Sequence, residues 1–325
     1  MRTYRTLDAH VAGEAVRLLV DGGPSVAGAT MQDKLAWMRK HAERLRRSLM
    51  LEPRGHAGMQ GALFTEPVTE RAHAGLLFMN AAGFPAFSGE GVIAAISLAV
   101  AHKLIHAGPD DLVELLIDTP AGAISVRPEH VEGGPAALAQ GAALTSLPSF
   151  VLSAGLPAQV SSRTVRLDVA FGGEFYAIVD SEAVGVPIDP AHGPQLVRAG
   201  LEVMNAVKAV KRVQGAIFTG PARGAADLRS ATVLEGGVLR RSPGIAGTSA
   251  LMAVLDAMGL LTGDQTFTHE GILGTSIAGR VVSRQPSTED GPAMVTPVID
   301  GRAWFLGRSE FQIDDADPLP PYSIG

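Results

Sequence analysis

Apolar and polar positions alternate, or β-branched residues cluster, in five short runs. These are Ala15-Val-Arg-Leu-Leu-Val20, Leu112-Val-Glu-Leu-Leu-Ile-Asp118, Thr164-Val-Arg-Leu-Asp-Val-Ala170, Phe175-Tyr-Ala-Ile-Val179 and Ala216-Ile-Phe218. Successive side chains of a strand point to opposite faces, so these runs predict strands. A repeat near 3.6 residues predicts helices over 30–50, 91–106, 195–210 and 248–261. In the first, Trp37, Met38, His41, Leu45 and Leu49 form one stripe, with Arg39, Lys40, Arg44 and Arg46 elsewhere. That arrangement predicts an amphipathic helix with a solvated basic face. The second contains the longest apolar stretch, from Gly91 to His102, about a dozen residues against the roughly 20 that a bilayer demands. It reads as a buried helix, and no membrane partner is expected.

One local pattern occurs twice. A turn of small residues runs straight into a small-residue helix at Phe87-Ser-Gly-Glu-Gly91 and again at Ser242-Pro-Gly-Ile-Ala-Gly-Thr-Ser249, about 155 residues later. Unsatisfied backbone N–H groups and the helix dipole make such starts sites for an anion such as a carboxylate. N-capping and close packing account for the same residues without any ligand.

Composition narrows the chemistry. The 325 residues, 46% hydrophobic and 18% charged, are those of a globular protein, and the length suggests two domains. Glycine (38) and proline (21) are spread along the chain, which suits many short strands joined by tight turns. A net charge of −6 offers no electrostatic footprint for nucleic acid. Cysteine is absent, which removes disulfides, thiolate metal sites and any thiol nucleophile. The first residues lack the apolar core of a secretory signal, so a cytoplasmic location is the expectation. No G-x-G-x-x-G follows a strand and no phosphate-binding loop occurs, so no nucleotide cofactor is expected. The histidines, including His10, His73, His102, His106, His130, His192 and His269, show no metal-ligand spacing, and no metal is expected. His56 stands apart in Leu51-Glu-Pro-Arg-Gly-His56, a candidate site loop, with an ordinary loop histidine as the alternative.

Several segments together resemble the proline racemase family. They are Asp8-Ala-His-Val-Ala-Gly-Glu14, Leu49-Met-Leu-Glu-Pro-Arg-Gly-His56, Leu77-Phe-Met79, Phe171-Gly-Gly-Glu-Phe-Tyr176, Arg241-Ser-Pro243 with Gly247-Thr-Ser-Ala250, Gly271-Ile-Leu-Gly-Thr-Ser276 and Asp314-Asp-Ala-Asp-Pro-Leu319. The resemblance implies an α/β (α+β) fold of diaminopimelate epimerase type. Two similar halves would each wrap a curved, mostly antiparallel sheet round a central helix, with the active site in the cleft between them. The implied halves are 1–130, joined by a returning tail 292–325, and 131–291. A homodimer and a small amino-acid or imino-acid substrate are expectations of the same origin.

Family racemases and epimerases use two residues, often cysteines, on opposite faces of the substrate α-carbon. The matching positions here are Ser88 and Gly244. Inversion needs an acid and a base on opposite faces, and glycine supplies neither. One-base chemistry survives: Ser88 removes the α-proton, and a β-hydroxyl departs as hydroxide. By resemblance to the family's dehydratases, the leading expectation is cofactor-independent conversion of trans-3-hydroxy-L-proline to Δ1-pyrroline-2-carboxylate, a hydro-lyase reaction. The alternatives are a 4-hydroxyproline 2-epimerase or proline racemase-like isomerase with water on the second face, and an inactive binding protein on the same scaffold. Backbone N–H groups of Gly89, Glu90, Ile245 and Ala246 would hold the substrate carboxylate. Glu90 stands where the family usually has His, and Arg240 where it usually has an Asp that contacts the substrate ammonium. Glu90 is therefore a candidate for the lost anionic role; the alternative is that Arg240 binds a second carboxylate or another anionic group on a substrate that is not a simple proline derivative.

Overall fold

The computed structural model describes residues 1–105, 114–129, 139–289 and 291–322. Its elements in the first part are β1 (Arg2–Val11), β2 (Glu14–Asp21), α1 (Met31–His41), α2 (Glu43–Met50), β3 (Gln60–Thr65), β4 (Ala74–Asn80), α3 (Gly89–Ala101), β5 (Leu115–Thr119), β6 (Gly122–Glu129) and β7 (Ala139–Thr145). There follow β8 (Ser149–Val160), β9 (Arg163–Phe171), β10 (Phe175–Asp180), α4 (Ser181–Val184), α5 (Gly193–Val207), β11 (Gly215–Gly220), β12 (Leu228–Leu234), α6 (Ile245–Ala257), β13 (Phe267–Glu270), β14 (Ser276–Gln285) and the long β15 (Met294–Ile313). The chain divides into two compact units, 1–144 with 301–325, and 145–300.

Each unit is a closed sheet. In the first, β1 to β7 pair in sequence order, and residues 301–313 of β15 join β7 back to β1. In the second, β8 to β14 pair in order, and residues 294–300 of β15 pair with β14, with Met294 and Val295 also reaching β8. Closure removes the unpaired edges at which sheets aggregate. Most junctions are antiparallel; the parallel ones are β2–β3, β4–β5, β10–β11 and β12–β13. A parallel pair needs a crossover, and here every crossover is helical. α1 and α2 serve the first, α3 the second, α4 and α5 the third, and α6 the fourth. The same order of junctions in both units shows an internal repeat.

The third helix of each repeat is enclosed. Residues 89–99 of α3 and 245–254 of α6 are buried without interruption, as a helix enclosed by its own sheet must be. α3 lies against β1, β2, β3 and β6, and α6 against β8, β9, β10 and β14. The amphipathic helices cover a second face: Leu35, Met38, Leu45 and Leu49 join Leu19, Leu63, Leu77 and Met79, while Leu196, Ala199 and Val203 of α5 join Val165, Phe218 and Val233.

Several expectations need correction. The 30–50 helix breaks at Ala42, which caps α1 and starts α2. Its face is not uniformly basic and solvated, because Arg46 is buried, bonded to both Glu43 carboxylate oxygens and to the carbonyls of Asn80 and Ala81. His41 leaves the stripe for solvent, and Lys34 enters the buried face. Unit boundaries fall at 144/145 and 300/301 instead of 130/131 and 291/292. β7 stays with β6, and residues up to 300 stay with β14, because their ladders hold them there. His106 and His130 lie outside the described residues.

Candidate functional site

In the first unit the candidate residues gather at the start of α3. Ser88 is its N-cap, in extended conformation, and its Oγ accepts the Gly91 N–H at 3.0 Å. The same hydroxyl donates to Gln60 Oε1 at 2.5 Å. Gln60 begins β3, so the hydroxyl is held between helix and sheet. Gly91 permits the contact, since a Cβ there would press on both Ser88 Oγ and the Phe78 ring, at 2.9 Å each. The N–H donor and the helix dipole favour charge on Oγ, but a neutral amide oxygen cannot take its proton away. Two residues on, in the first turn of the helix, Glu90 is 2% exposed. A buried carboxylate is held only where partners compensate its desolvation.

His56 sits on the loop after α2, where Nδ1 accepts the Gly58 N–H at 3.1 Å. Arg17 fixes that loop. Its guanidinium grips Asp8 (Nη2 to Oδ2 2.9 Å), donates to the carbonyls of Leu49 and Arg54 at 2.8 and 2.7 Å, and stacks over Phe311. The Asp8 and Leu49–His56 segments thus meet through one buried arginine.

In the second unit, Arg240, Gly244, Ile245 and Ala246 gather at the start of α6. Gly244 is the N-cap with φ +84°, and it supplies no side-chain cap. Its N–H donates to Ser242 Oγ at 3.2 Å, and its carbonyl accepts from Thr248 twice, from N–H at 2.8 Å and from Oγ1 at 2.7 Å. A Cβ built on Gly244 would find Arg240 Nε nearest, at 3.7 Å. Space for a side chain therefore exists, although the backbone angle disfavours one. Arg240 is 9% exposed and its N–H donates to Thr232 O at 2.8 Å. Close by, the buried Arg229 lies 3.4 Å from Glu270 and donates to Ile272 O at 2.7 Å, tying β12 to β13 and the turn after it. Thr248 Oγ1 also contacts His269 Nδ1 at 2.8 Å. His269 is fully buried, which pushes its pKa down to about 3.

The sequence pattern did not single out Gln60, Thr248 or His269 for chemistry. Gln60 has no local signal at all. Thr248 lies inside the Gly247-Thr-Ser-Ala250 segment, and His269 lies two residues before Gly271-Ile-Leu-Gly. Among the described residues no group of three His, Asp or Glu side chains could hold a metal ion, and no helix is long and apolar enough to cross a membrane.

The proline racemase family model matches residues 6–321. The chain belongs to the proline racemase family. Among curated relatives, a 4-hydroxyproline 2-epimerase of Streptosporangium roseum is 35% identical over 98% of this chain and 97% of its own. A trans-3-hydroxy-L-proline dehydratase of Bacillus cereus is 32% identical, again over 98% and 97%. Among solved structures, a hydroxyproline epimerase of Agrobacterium vitis with bound trans-4-hydroxy-L-proline superposes with a TM-score of 0.87 and 27% identity, covering 98% of this chain and 94% of that one. Membership of the proline racemase family brings the two-unit fold of repeated sheets and central helices, and an enzyme of the isomerase and lyase classes.

Proposed function

We propose that the protein inverts C2 of a hydroxyproline, 4-hydroxyproline being the substrate, without a cofactor. The observation that carries this reading is the end-to-end similarity to 4-hydroxyproline 2-epimerases in both sequence and structure. It displaces trans-3-hydroxyproline dehydration as the leading expectation. A planar carbanion at C2 must lose a proton from one face and gain one on the other. The first role falls to Ser88 at the α3 start: its Oγ takes the C2 proton while its own hydroxyl proton passes to the buried Glu90 carboxylate, which returns it to water. The second falls to water, since Gly244 has no side chain. Backbone N–H groups of Gly89 and Glu90 at the α3 start stabilise the substrate carboxylate and the developing charge. With the family's usual His replaced, Glu90 takes the anionic part towards the substrate nitrogen.

Dehydration of trans-3-hydroxy-L-proline stands as a second reading because of Gly244 itself: elimination needs a base on one face only. Proton NMR in D2O with L-proline, trans-3-hydroxy-L-proline and trans-4-hydroxy-L-proline separates the two. Deuterium at C2 with inversion of the 4-hydroxy compound is the expected result. Conversion of the 3-hydroxy compound to a cyclic imine, with the 4-hydroxy compound untouched, would replace epimerisation by dehydration. Glu90→Gln is expected to raise KM for the imino acid by about tenfold or more, the scale of a lost charge-assisted contact. Unchanged binding in that variant would remove Glu90 from the substrate site.

A further inference from the structure

His269 is a buried imidazole that the proposed reaction does not use. Thr248 Oγ1 has one proton to give, and Gly244 O at 2.7 Å can only accept, so the proton goes to that carbonyl. Nδ1 of His269, 2.8 Å from the same oxygen, is then the donor to it. That fixes the tautomer and leaves Nε2 a bare lone pair. Nε2 is buried and has no hydrogen-bond partner among the described residues. The loss of positive charge on burial keeps the ring neutral.

A second observation comes from the neighbouring strand. Leu228 of β12 pairs in parallel register with His269, so Ser230 and Thr232 share the face on which His269 points. Thr232 also pairs with Ile217, whose Cδ1 lies 3.1 Å from where a Gly247 Cβ would stand. This face therefore looks onto the first turn of α6. Ser230 Oγ and Thr232 Oγ1 are likewise buried with no partner among the described residues. Buried polar atoms are rarely left unsatisfied. Thr232 lies four residues along β12 from the partner of His269, about 13 Å away, whereas Ser230 is only two residues along, where its hydroxyl and Nε2 can share one small partner. It must give a proton to an imidazole nitrogen and accept one from a hydroxyl, and it must carry no charge. Water meets all three conditions.

We infer that the second unit holds an ordered water between His269 Nε2 and the hydroxyl of Ser230, and that the chain water–His269–Thr248 fixes the Gly244 carbonyl and with it the start of α6. His269 and Thr248 are positioning residues; neither touches substrate. Gly244 has a conformation open to few residues and no side chain to anchor it, so the hydroxyl of Thr248 adds the second bond that holds its peptide. The consequence for substrate binding rests on the proposed function; the water site and the Gly244 geometry do not.

The test uses the full-length protein with 15N-labelled histidine. The Nδ1–H tautomer is expected to persist from about pH 5 to about pH 8, a range in which an exposed imidazole titrates, with a nuclear Overhauser contact between bound water and the ring. Thr248→Val should move the backbone amide signals of Gly244 and Ile245 and raise KM for 4-hydroxyproline about tenfold, the equivalent of about one hydrogen bond. Thr248→Ser, which keeps the hydroxyl, should stay within about twofold of the wild type in KM. An Nε2–H tautomer, absence of the water contact, or Gly244 amides indifferent to Thr248→Val would each overturn the inference. A wild-type protein that turns over no hydroxyproline would overturn the proposed reaction instead, with the spectroscopic results still deciding the water site.

Discussion

A single hydroxyl shows how one residue can carry both structure and chemistry. Ser88 Oγ accepts the Gly91 N–H and donates to Gln60, so Ser88→Ala removes a helix cap as well as the first-face hydroxyl. The loss of the cap is expected to reduce stability by about 1 kcal/mol in denaturant unfolding, and deuterium incorporation at C2 should fall to the uncatalysed level. Exchange that survives in a folded Ser88→Ala protein would pass the base role to Glu90. His269 makes a prediction of a different kind. Its folded pKa, about 3, lies below the ordinary value of 6.5, so the unfolded chain binds a proton that the folded one refuses. The stabilisation is complete above about pH 6.5 and is lost as pH falls towards about 3, by up to about 1.4 kcal/mol per unit. Comparing urea midpoints of wild type and His269→Gln across that range checks the sign: the variant should show the shallower decline. Ser88 and Gly244 were legible in the sequence as helix starts because they occupy the small-residue turns. Gln60 was not, since its role comes from a bond spanning 28 residues.

At the scale of elements, glycine spacing records where backbones touch. Gly172 follows β9, and a Cβ there would run into the Ala246 carbonyl and the Ala250 amide of α6. The Phe171-Gly-Gly-Glu segment is thus the seat of the second half-site's helix. Gly172→Ala is expected to lower stability by about 1–3 kcal/mol through overpacking, and to raise KM, because α6 must shift to make room. Gly224→Ala, where nothing lies within 4 Å, serves as the control in the same unfolding assay. A Gly172→Ala protein as stable and active as the control would contradict the close packing. The periodicity located the helices, but their ends came from other forces. α1 and α2 look continuous in the 3.6-residue pattern, yet they separate at Ala42. Arg46 looks like a surface residue until the carbonyls of Asn80 and Ala81 come into reach, a contact no local window reveals.

For the whole molecule, β15 is the element that each unit needs. Its residues 303–313 pair with β1 and residues 301–304 with β7, so a chain ending at Asp300 would leave two edges exposed in the first unit. In such a truncated protein, hydrogen exchange of β1 amides should accelerate strongly while α6 and β12 keep their protection. Equal loss in both units would show that they unfold as one cooperative block. The duplicated turns, about 155 residues apart, pointed to a repeat. The repeat's full form, with parallel junctions at corresponding places, appears only in the strand pairing.

The sequence by itself determined the family, the repeated helix starts, the absence of thiol chemistry and the small residues at both turns. These are properties of residue type and local spacing, which neighbours along the chain suffice to express. Tertiary structure alone decided which buried charges are gripped by backbone carbonyls, where the units divide, and that Thr248 and His269 stand behind Gly244. Those depend on contacts between segments far apart in sequence, set by how strands register and sheets close.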